Sequence, residues 1–186
     1  MKVKPFEIPG LLMIEPRRFG DARGWFAEVW QQARYEEAGI AETFVQDNLA
    51  RSAKAILRGL HAQEPHAQGK LVQVFDGAVF DVAVDLRRGS PTFGRWEGVV
   101  LDAETGNQFY VPPGFFHGYY VLSETALFAY KTTDIYSPQT ELAVRWDDPD
   151  LAIDWPLDGP PVLSDKDRDA PLLRDIDQQT LTAYQP

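Results

Sequence analysis

The sequence predicts an all-β protein, a sandwich or a barrel, from three observations. Short runs rich in valine, isoleucine and aromatic residues follow one another closely, at 11–14, 25–30, 71–75, 79–86, 96–101, 108–111, 118–122, 126–133 and 142–146. Fourteen glycines and 14 prolines are scattered along the chain, where they punctuate turns. Helical periodicity is scarce. Many short strands with turn signals between them are typical of sandwiches and barrels.

Turn and helix signals place the elements more closely. Asp76-Gly77 lies between runs 71–75 and 79–86 and is a favourable hairpin turn. Two segments have helical patterns, 31–38, which Gly39 would end, and 171–181. We therefore expect short helices at the periphery of the β-structure, one of them in the C-terminal tail.

Run 79–86 has two contrasting sides. Alternate residues of a strand share a side, which groups Phe80 with Val82, Val84 and Leu86, and Val79 with Asp81, Ala83 and Asp85. A small and acidic inner side would suit a barrel that holds a ligand. An ordinary solvent-facing side explains the run equally well.

Composition excludes several classes of protein. The 186 residues suggest one domain, 1–186, and 28 acidic against 18 basic residues give a formal charge of −10, which disfavours a nucleic-acid partner. The absence of cysteine excludes disulfides, cysteine-ligated zinc and cysteine nucleophiles. The first residues, MKVKPFEIPG, contain no signal-peptide core, and no apolar run approaches 18 residues. We expect a soluble, cytoplasmic protein with no membrane partner.

One of the three histidines lies in a recognisable pattern. Residues 106–117 fit G-x5-P-x-G-x2-H, ending at His117. This pattern resembles the second sequence motif of the cupins, although Val121 stands where an asparagine usually follows. The resemblance implies a double-stranded β-helix, or jelly-roll barrel, with short peripheral helices.

The first cupin motif, which supplies metal ligands, is broken. Counting back from Gly77 places Lys70 at the glutamate position, His66 at the second histidine and Glu64 at the first. An ammonium group opposes a divalent ion, and three ligands are normally needed. We therefore expect no metal and no other cofactor. A metal site built from Glu64, His66 and His117 is the alternative.

Further blocks carry a more specific resemblance. They include D-x-R-G-x-F-x-E at 21–28, F-V-Q-D-N at 44–48, R-G-L-H at 58–61, Q-G-K-L-V at 68–72, 79–87, S-P-T-F-G at 90–94, 114–118, Y-K-T-T at 130–133, Y-S-P at 136–138, I-D-W-P at 153–156 and S-D-K-D at 164–167. The chain resembles the dTDP-4-dehydrorhamnose 3,5-epimerases over roughly residues 5–175.

The resemblance implies a metal-free isomerase. The implied reaction inverts C3 and C5 of dTDP-4-dehydro-6-deoxy-α-D-glucose through an enolate, giving dTDP-4-dehydro-β-L-rhamnose. This belongs to dTDP-L-rhamnose biosynthesis, for lipopolysaccharide or cell-wall polysaccharide. Inversion beside a ketone needs a base on one face and an acid on the other. By the match, His61 is the base, Asp167 its carboxylate partner, Tyr130 the acid and Lys70 the cation that holds the oxyanion at O4.

The same match assigns the residues that bind the nucleotide sugar. They are Arg23, Phe26, Glu28, Gln46, Asp47, Asn48, Arg58, Gln63, Asp81, His117, Tyr136, Glu141 and Lys166. Arg23, Arg58 and Lys166 suit the diphosphate, and Tyr136 matches the aromatic residue that stacks on thymine. The resemblance also implies a homodimer whose N-terminal strands pair across the interface.

Three alternatives stay open at this stage. An epimerase that inverts only C3 or only C5 would share the whole catalytic set. Ala62 and Ile135, which stand where aromatic residues are common, leave the details of the substrate undecided. A non-catalytic sugar-binding cupin and a metal-dependent cupin are the more distant alternatives.

Overall fold

The computed structural model describes residues 1–185 and contains mostly β-strands. The strands are Lys2–Pro5 (β1), Leu12–Glu15 (β2), Arg18–Asp21 (β3), Gly24–Ala27 (β4), Gln46–Ala53 (β5), Leu57–Gln63 (β6), Lys70–Asp76 (β7), Ala78–Asp85 (β8), Trp96–Asp102 (β9), Gln108–Val111 (β10), Phe115–Val121 (β11), Thr125–Thr132 (β12) and Glu141–Ala143 (β13). The α-helices are Gln32–Glu37 (α1) and Asp165–Arg168 (α2).

The strands form two large antiparallel sheets and a separate hairpin. One sheet has six strands in the order β1-β2-β10-β7-β12-β5, and the other has five in the order β13-β6-β11-β8-β9. Strands β3 and β4 pair only with each other. The predicted all-β class with short peripheral helices is confirmed, and the two sheets form a cupin-like jelly roll.

The hydrophobic core lies between the two large sheets. The six-stranded sheet contributes Val72, Val74, Phe109, Val111, Ala126 and Phe128, and the five-stranded sheet contributes Val79, Ala83, Val99, Leu101, Phe115 and Val121. Aromatic and branched side chains of this kind fill the space between two pleated faces. One end of this space is lined by polar residues instead and remains open.

The outer faces of both sheets are also partly covered. Leu151, Trp155 and Leu181, all after β13, pack on the outer side of the five-stranded sheet. Tyr35 of α1 and Ile40 pack on the outer side of the six-stranded sheet. The two sheets are therefore buried on both faces over part of their area, which explains why strand β11 is buried along its whole length.

Strand β8 decides between the two interpretations of run 79–86. Val79 and Ala83 belong to the core between the sheets, whereas Val82 and Val84 pack beneath the C-terminal segments. Asp81 is fully buried. The small and acidic side therefore faces the barrel interior, and the solvent-facing alternative is wrong.

The predicted hairpin at Asp76-Gly77 is wrong, although the turn exists. Strand β7 belongs to the six-stranded sheet and β8 to the five-stranded sheet, so this turn links two sheets. Gly77 has φ +75°, and a Cβ there would lie 2.0 Å from the Thr125 carbonyl oxygen. A glycine is required because the turn passes so close to the start of β12.

Of the two predicted helices, one is confirmed. Helix α1 falls within 31–38, and Gly39 follows it with φ +93°. The α-helix predicted at 171–181 is wrong, since this segment forms two 3-10 turns, Leu173–Asp175 and Gln178–Thr180. Ile176 between them is extended because its side chain and that of Leu181 are held against the sheet. Neither α-helix has the length and hydropathy to cross a membrane.

Candidate active site

A cavity of about 400 Å³ opens at the polar end of the barrel, and both sheets line it. Of the predicted site residues, twelve line it: His61, Lys70, Tyr130, Asp167, Gln46, Asn48, Arg58, Gln63, His117, Tyr136, Glu141 and Lys166. The fold thus collects residues that are up to 121 positions apart in the chain, from Gln46 to Asp167. This is the size of site that holds a small organic ligand.

His61 and Asp167 form the pair that the resemblance implies. His61 Nε2 lies 2.5 Å from Asp167 Oδ1, and Ser164 donates to Asp167 Oδ2 at 2.7 Å. Burial raises the pKa of Asp167, but the hydrogen bonds from His61 and Ser164 outweigh it and the pKa lies below its usual value. The carboxylate is therefore ionised at neutral pH and accepts the hydrogen of His61 Nε2, which orients the imidazole and leaves Nδ1 as the atom that can act as a base.

Ser164 is a residue that the sequence analysis missed. It is the N-cap of α2, where its hydroxyl accepts from the Asp167 amide at 3.1 Å. The signal was present, because serine three residues before an acidic residue is a common start of a helix. The helix is only four residues long, and its effect is to hold the Asp167 carboxylate beside His61.

A close approach of two strands places His61 beside His117. Gly59 of β6 has φ +124°, and its Cβ would lie 2.6 Å from the Cα of Gly118 in β11. Since any other residue would clash there, the R-G-L-H glycine lets the two strands meet with His61 opposite His117. His117 Nε2 in turn lies 2.9 and 3.0 Å from the two carboxylate oxygens of buried Asp81.

Lys70 is enclosed at the start of β7. Its side chain is buried, and Nζ lies 3.5 Å from the His61 carbonyl oxygen. Burial lowers the pKa of Lys70 to about 8, against the opposing charges of Asp81 and Glu141. An ammonium group this poorly solvated interacts strongly with a negative charge that develops in the cavity.

Tyr130 stands across the cavity from His61. It belongs to β12 of the six-stranded sheet, whereas His61 belongs to β6 of the five-stranded sheet. Burial raises the pKa of Tyr130, so the phenol is protonated at neutral pH. The imidazole of His61 and the protonated phenol of Tyr130 thus face one cavity from opposite sheets. Lys70 lines the same cavity from β7, the neighbour of β12.

A hydrogen-bond network around Glu141 forms part of the cavity wall. Lys166 donates to Glu141 Oε1 at 2.6 Å, and the Tyr136 hydroxyl donates to Oε2 at 3.1 Å. Gln46 accepts from the Tyr136 amide at 3.1 Å and donates to Asn48 at 2.8 Å. Tyr136 is half exposed, so its ring is accessible to a ligand.

Gln63 lines the cavity and also bonds to the loops beside it. It is almost fully buried, donates to the carbonyl oxygens of His66 and Ile135, and accepts from the Ser137 amide. Its amide group is therefore satisfied by the loops that flank the cavity. In this structure Gln63 holds the cavity wall together.

Five predicted binding residues do not line the cavity of their own chain. Arg23 and Phe26 belong to the exposed β3–β4 hairpin, and Arg23 pairs with Asp21. Glu28 pairs with Arg34 and Asp47 with Lys131. Asp81 lies behind His117. Arg23, Phe26, Glu28, Asp47 and Asp81 therefore lie outside the cavity of their own chain, and their assignment as binding residues stays a prediction.

The alternative metal set is not assembled. Glu64 accepts a hydrogen bond from Thr182, His66 pairs with Asp134, and His117 pairs with Asp81. Within residues 1–185, no group of three or more histidine, aspartate or glutamate side chains is arranged to hold a metal ion.

Tyr119 is a second residue that the sequence analysis missed. It lines the cavity, is 5% exposed, and lies two residues after His117 in β11. Alternation along this strand could have found it, because residues 117 and 119 share a face.

Comparison with known proteins identifies the family. The model for dTDP-4-dehydrorhamnose 3,5-epimerase matches residues 5–175. A Pseudomonas aeruginosa protein named dTDP-4-dehydrorhamnose 3,5-epimerase is 54% identical over 178 residues, covering 95% of this chain and 98% of its own. A Streptomyces niveus protein named dTDP-4-dehydrorhamnose 3-epimerase is 42% identical, covering 93% and 84%.

A solved structure agrees with both the fold and the family. The dTDP-6-deoxy-D-glucose-3,5-epimerase of Legionella pneumophila, in complex with dTDP-4-keto-L-rhamnose, is 54% identical. It superposes with a TM-score of 0.97 and covers 100% of this chain and 99% of its own. With these matches over nearly its whole length, the chain belongs to the dTDP-4-dehydrorhamnose 3,5-epimerase family.

Proposed function

We propose that this protein epimerises a dTDP-linked 4-keto-6-deoxyhexose at C3 and C5, converting dTDP-4-dehydro-6-deoxy-α-D-glucose to dTDP-4-dehydro-β-L-rhamnose. The observation that carries the proposal is the pairing of a carboxylate-oriented histidine on one sheet with a protonated tyrosine on the opposite sheet. Inversion at a carbon needs proton removal from one face and proton delivery to the other.

The chemistry follows from three side chains. His61 acts as the base and removes a proton from the carbon beside the C4 ketone, and the electron pair of the C–H bond moves onto the carbonyl oxygen. The buried Lys70 ammonium stabilises this enolate oxygen. Tyr130 then donates its proton to the same carbon from the opposite face. Proton exchange with water returns His61 and Tyr130 to their starting states, so the net reaction is an isomerisation.

We also propose that the reaction is independent of metal. Lys70 occupies the place at which the first cupin motif carries a ligand, and its fixed positive charge does what a Lewis acid would do for the enolate. Arg58 and Lys166 provide cations for the diphosphate, and the half-exposed ring of Tyr136 suits the thymine.

The residues outside the cavity support a homodimer. Trp25 and Phe26 of the β3–β4 hairpin are 61% and 68% exposed, which is unusual for such large apolar side chains on a monomer. We propose that the N-terminal strands lie in the interface of a two-fold dimer, and that Arg23, Phe26 and Glu28 enter the cavity of the second copy.

Mixing two inactive variants tests this arrangement. In a heterodimer of Arg23→Ala and His61→Asn, one cavity combines an intact His61 with an intact Arg23 from the other chain. Random reassociation after mild denaturation should therefore restore about a quarter of the wild-type activity. No recovery from a mixture that is dimeric by light scattering would contradict the shared site.

A second candidate is an epimerase that inverts one centre only. It is favoured by the 42% identity to the Streptomyces niveus protein, whose name specifies a 3-epimerase. The catalytic set does not distinguish the two functions.

One experiment separates them. The protein is incubated with dTDP-4-dehydro-6-deoxyglucose in D2O, and deuterium is located by NMR. Deuterium at both C3 and C5, with the L-rhamno configuration in the product, is the expected result. Deuterium and inversion at one carbon would establish the single-centre reaction, and no exchange would refute both. We also propose that residues 1–186 form one catalytic domain. The cytoplasmic location stays a prediction.

A further inference from the structure

Tyr119 is a polar residue of the cavity wall to which the proposed reaction gives no role. Tyr119 is 5% exposed, and its ring stacks on Phe128 with the ring centroids 4.2 Å apart and the planes 21° from parallel. Its hydroxyl lies 3.4 Å from the Ser52 hydroxyl. The stacking fixes the ring, so the hydroxyl is held beside Ser52 at the cavity wall.

The hydrogen bonds of Ser52 determine where the proton of Tyr119 points. Ser52 Oγ accepts from Arg58 Nε at 3.3 Å, and within residues 1–185 its other hydrogen-bonding neighbour is the Tyr119 hydroxyl. A serine hydroxyl has one hydrogen to donate. Because Arg58 is only a donor, buried Ser52 satisfies its hydrogen by donating to Tyr119. The Tyr119 O–H then remains available to an acceptor in the cavity.

The positive charge of Arg58 favours an anionic acceptor at this place. Arg58 lines the same cavity, its backbone pairs with Tyr119 across β6 and β11, and it forms no ion pair within the described part of the chain. The other cations of the cavity have carboxylates nearby. Lys166 is bound to Glu141, and Lys70 lies near Asp81 and Glu141. A guanidinium without a carboxylate, beside a free phenol hydrogen, is suited to an anionic oxygen.

We propose that the Tyr119 hydroxyl and the Arg58 guanidinium together bind a phosphoryl oxygen of the nucleoside diphosphate, which makes Tyr119 a substrate-binding residue. The inference rests on the proposed function in taking a nucleoside diphosphate as the ligand. Burial raises the pKa of Tyr119 against the opposing effects of Ser52 and Arg58, so its hydrogen is retained at neutral pH. Ser52 acts as a positioning residue that orients both groups.

The test measures binding of dTDP, which has the diphosphate and lacks the sugar. Tyr119→Phe keeps the ring and its stacking and removes the hydroxyl. The matched control is Tyr120→Phe, because Tyr120 is the next residue and its hydroxyl bonds Asp158 outside the cavity. Ser52→Ala is a second variant that leaves Tyr119 in place. Circular dichroism and thermal unfolding establish that each variant is folded.

Calorimetry should show a Kd for dTDP raised by about tenfold or more in Tyr119→Phe, as expected for a lost hydrogen bond to a charged group. Ser52→Ala should shift it in the same direction, and Tyr120→Phe should leave it unchanged. The Ki of thymidine as a competitor should be equal in all four proteins, which a general loss of structure would not produce. KM for the nucleotide sugar should rise with little change in kcat.

Two results of the binding measurements, and one of the kinetics, would overturn the inference. One is a Kd for dTDP in Tyr119→Phe within about twofold of wild type, and the other is an equal weakening of thymidine and dTDP. A loss of kcat with unchanged dTDP binding would also overturn it, since it would place the hydroxyl at the sugar. A wild-type protein that binds dTDP and does not epimerise the sugar would refute the proposed function and leave the Tyr119 assignment standing.

Discussion

Replacing Lys70 with methionine should make the protein more stable and far less active. Methionine fills a similar volume without a charge, so it removes the cost of burying an ammonium group. Each pKa unit corresponds to about 1.36 kcal/mol, so lowering the pKa of Lys70 from 10.5 to about 8 corresponds to about 3 kcal/mol. We expect the free energy of unfolding of Lys70→Met to exceed that of wild type by about this amount at pH 7.

Most substitutions of buried residues lower the free energy of unfolding, whereas Lys70→Met should raise it. A lysine whose pKa is lower in the folded state than in the unfolded chain binds fewer protons when folded, and therefore destabilises the fold below pH 8. This cost disappears as the pH rises from about 8 to 10.5. The stability advantage of Lys70→Met should accordingly be full at pH 7 and vanish near pH 10.5.

Activity should change in the opposite direction. Loss of the cation at the enolate oxygen should lower kcat by about 10²- to 10³-fold, as loss of an oxyanion donor does. In the wild type, kcat/KM should fall about tenfold per pH unit above pH 8, as Lys70 loses its proton.

Urea denaturation at equal protein concentrations and pH 7, 9 and 10.5 measures the stability, and NMR of the epimerised sugar measures the activity. The control is Lys54→Met, because Lys54 pairs with Asp158 at the surface and its pKa is raised. That variant should gain no stability and keep its activity. A Lys70→Met protein that is less stable than wild type at pH 7, or equally active, would refute this reasoning.

Three further predictions test the remaining parts of the mechanism. His61→Asn should abolish deuterium incorporation at both carbons while dTDP still binds, and near-normal exchange would remove His61 from the mechanism. Tyr130→Phe should keep exchanging substrate hydrogen with D2O while the yield of inverted sugar falls much further, because His61 can return a proton only to the face from which it took one. A proportional fall in exchange and yield would show that Tyr130 is not the opposite acid. Activity should survive dialysis against EDTA, and a loss that zinc or iron restores would contradict the role of Lys70.

Strands that form the core were predictable, and a strand that forms the cavity was not. The sequence predicted strand β8 and its two contrasting sides, but both of its faces are buried, which left the choice between interior and solvent to the structure. Strand β5 was missed, because its inward residues are Gln46, Asn48, Ala50 and Ser52. A cavity that holds a polar ligand needs polar or small walls, so hydrophobic alternation fails where the ligand would bind.

Local patterns likewise could not show which strands pair. Asp76-Gly77 has the composition of a hairpin turn, yet it joins two sheets, since β7 pairs with β10 and β12 and β8 pairs with β9 and β11. The C-terminal segment 171–181 has a helical spacing of apolar residues, but contacts with the five-stranded sheet hold it in two short turns. In both cases distant partners outweigh the local preference.

The sequence by itself determined the β-rich class, the two contrasting sides of β8 and, through the order of its motifs, the family and the identity of the catalytic candidates. Those features depend on residue type and on spacing along the chain. Only the tertiary structure decided that Asp167 reaches His61 across 106 positions, that Tyr130 faces it from the other sheet, and that Arg23 and Phe26 lie outside their own cavity. The reason is that these relations depend on strand order and sheet packing, which are set by contacts between residues far apart in the chain.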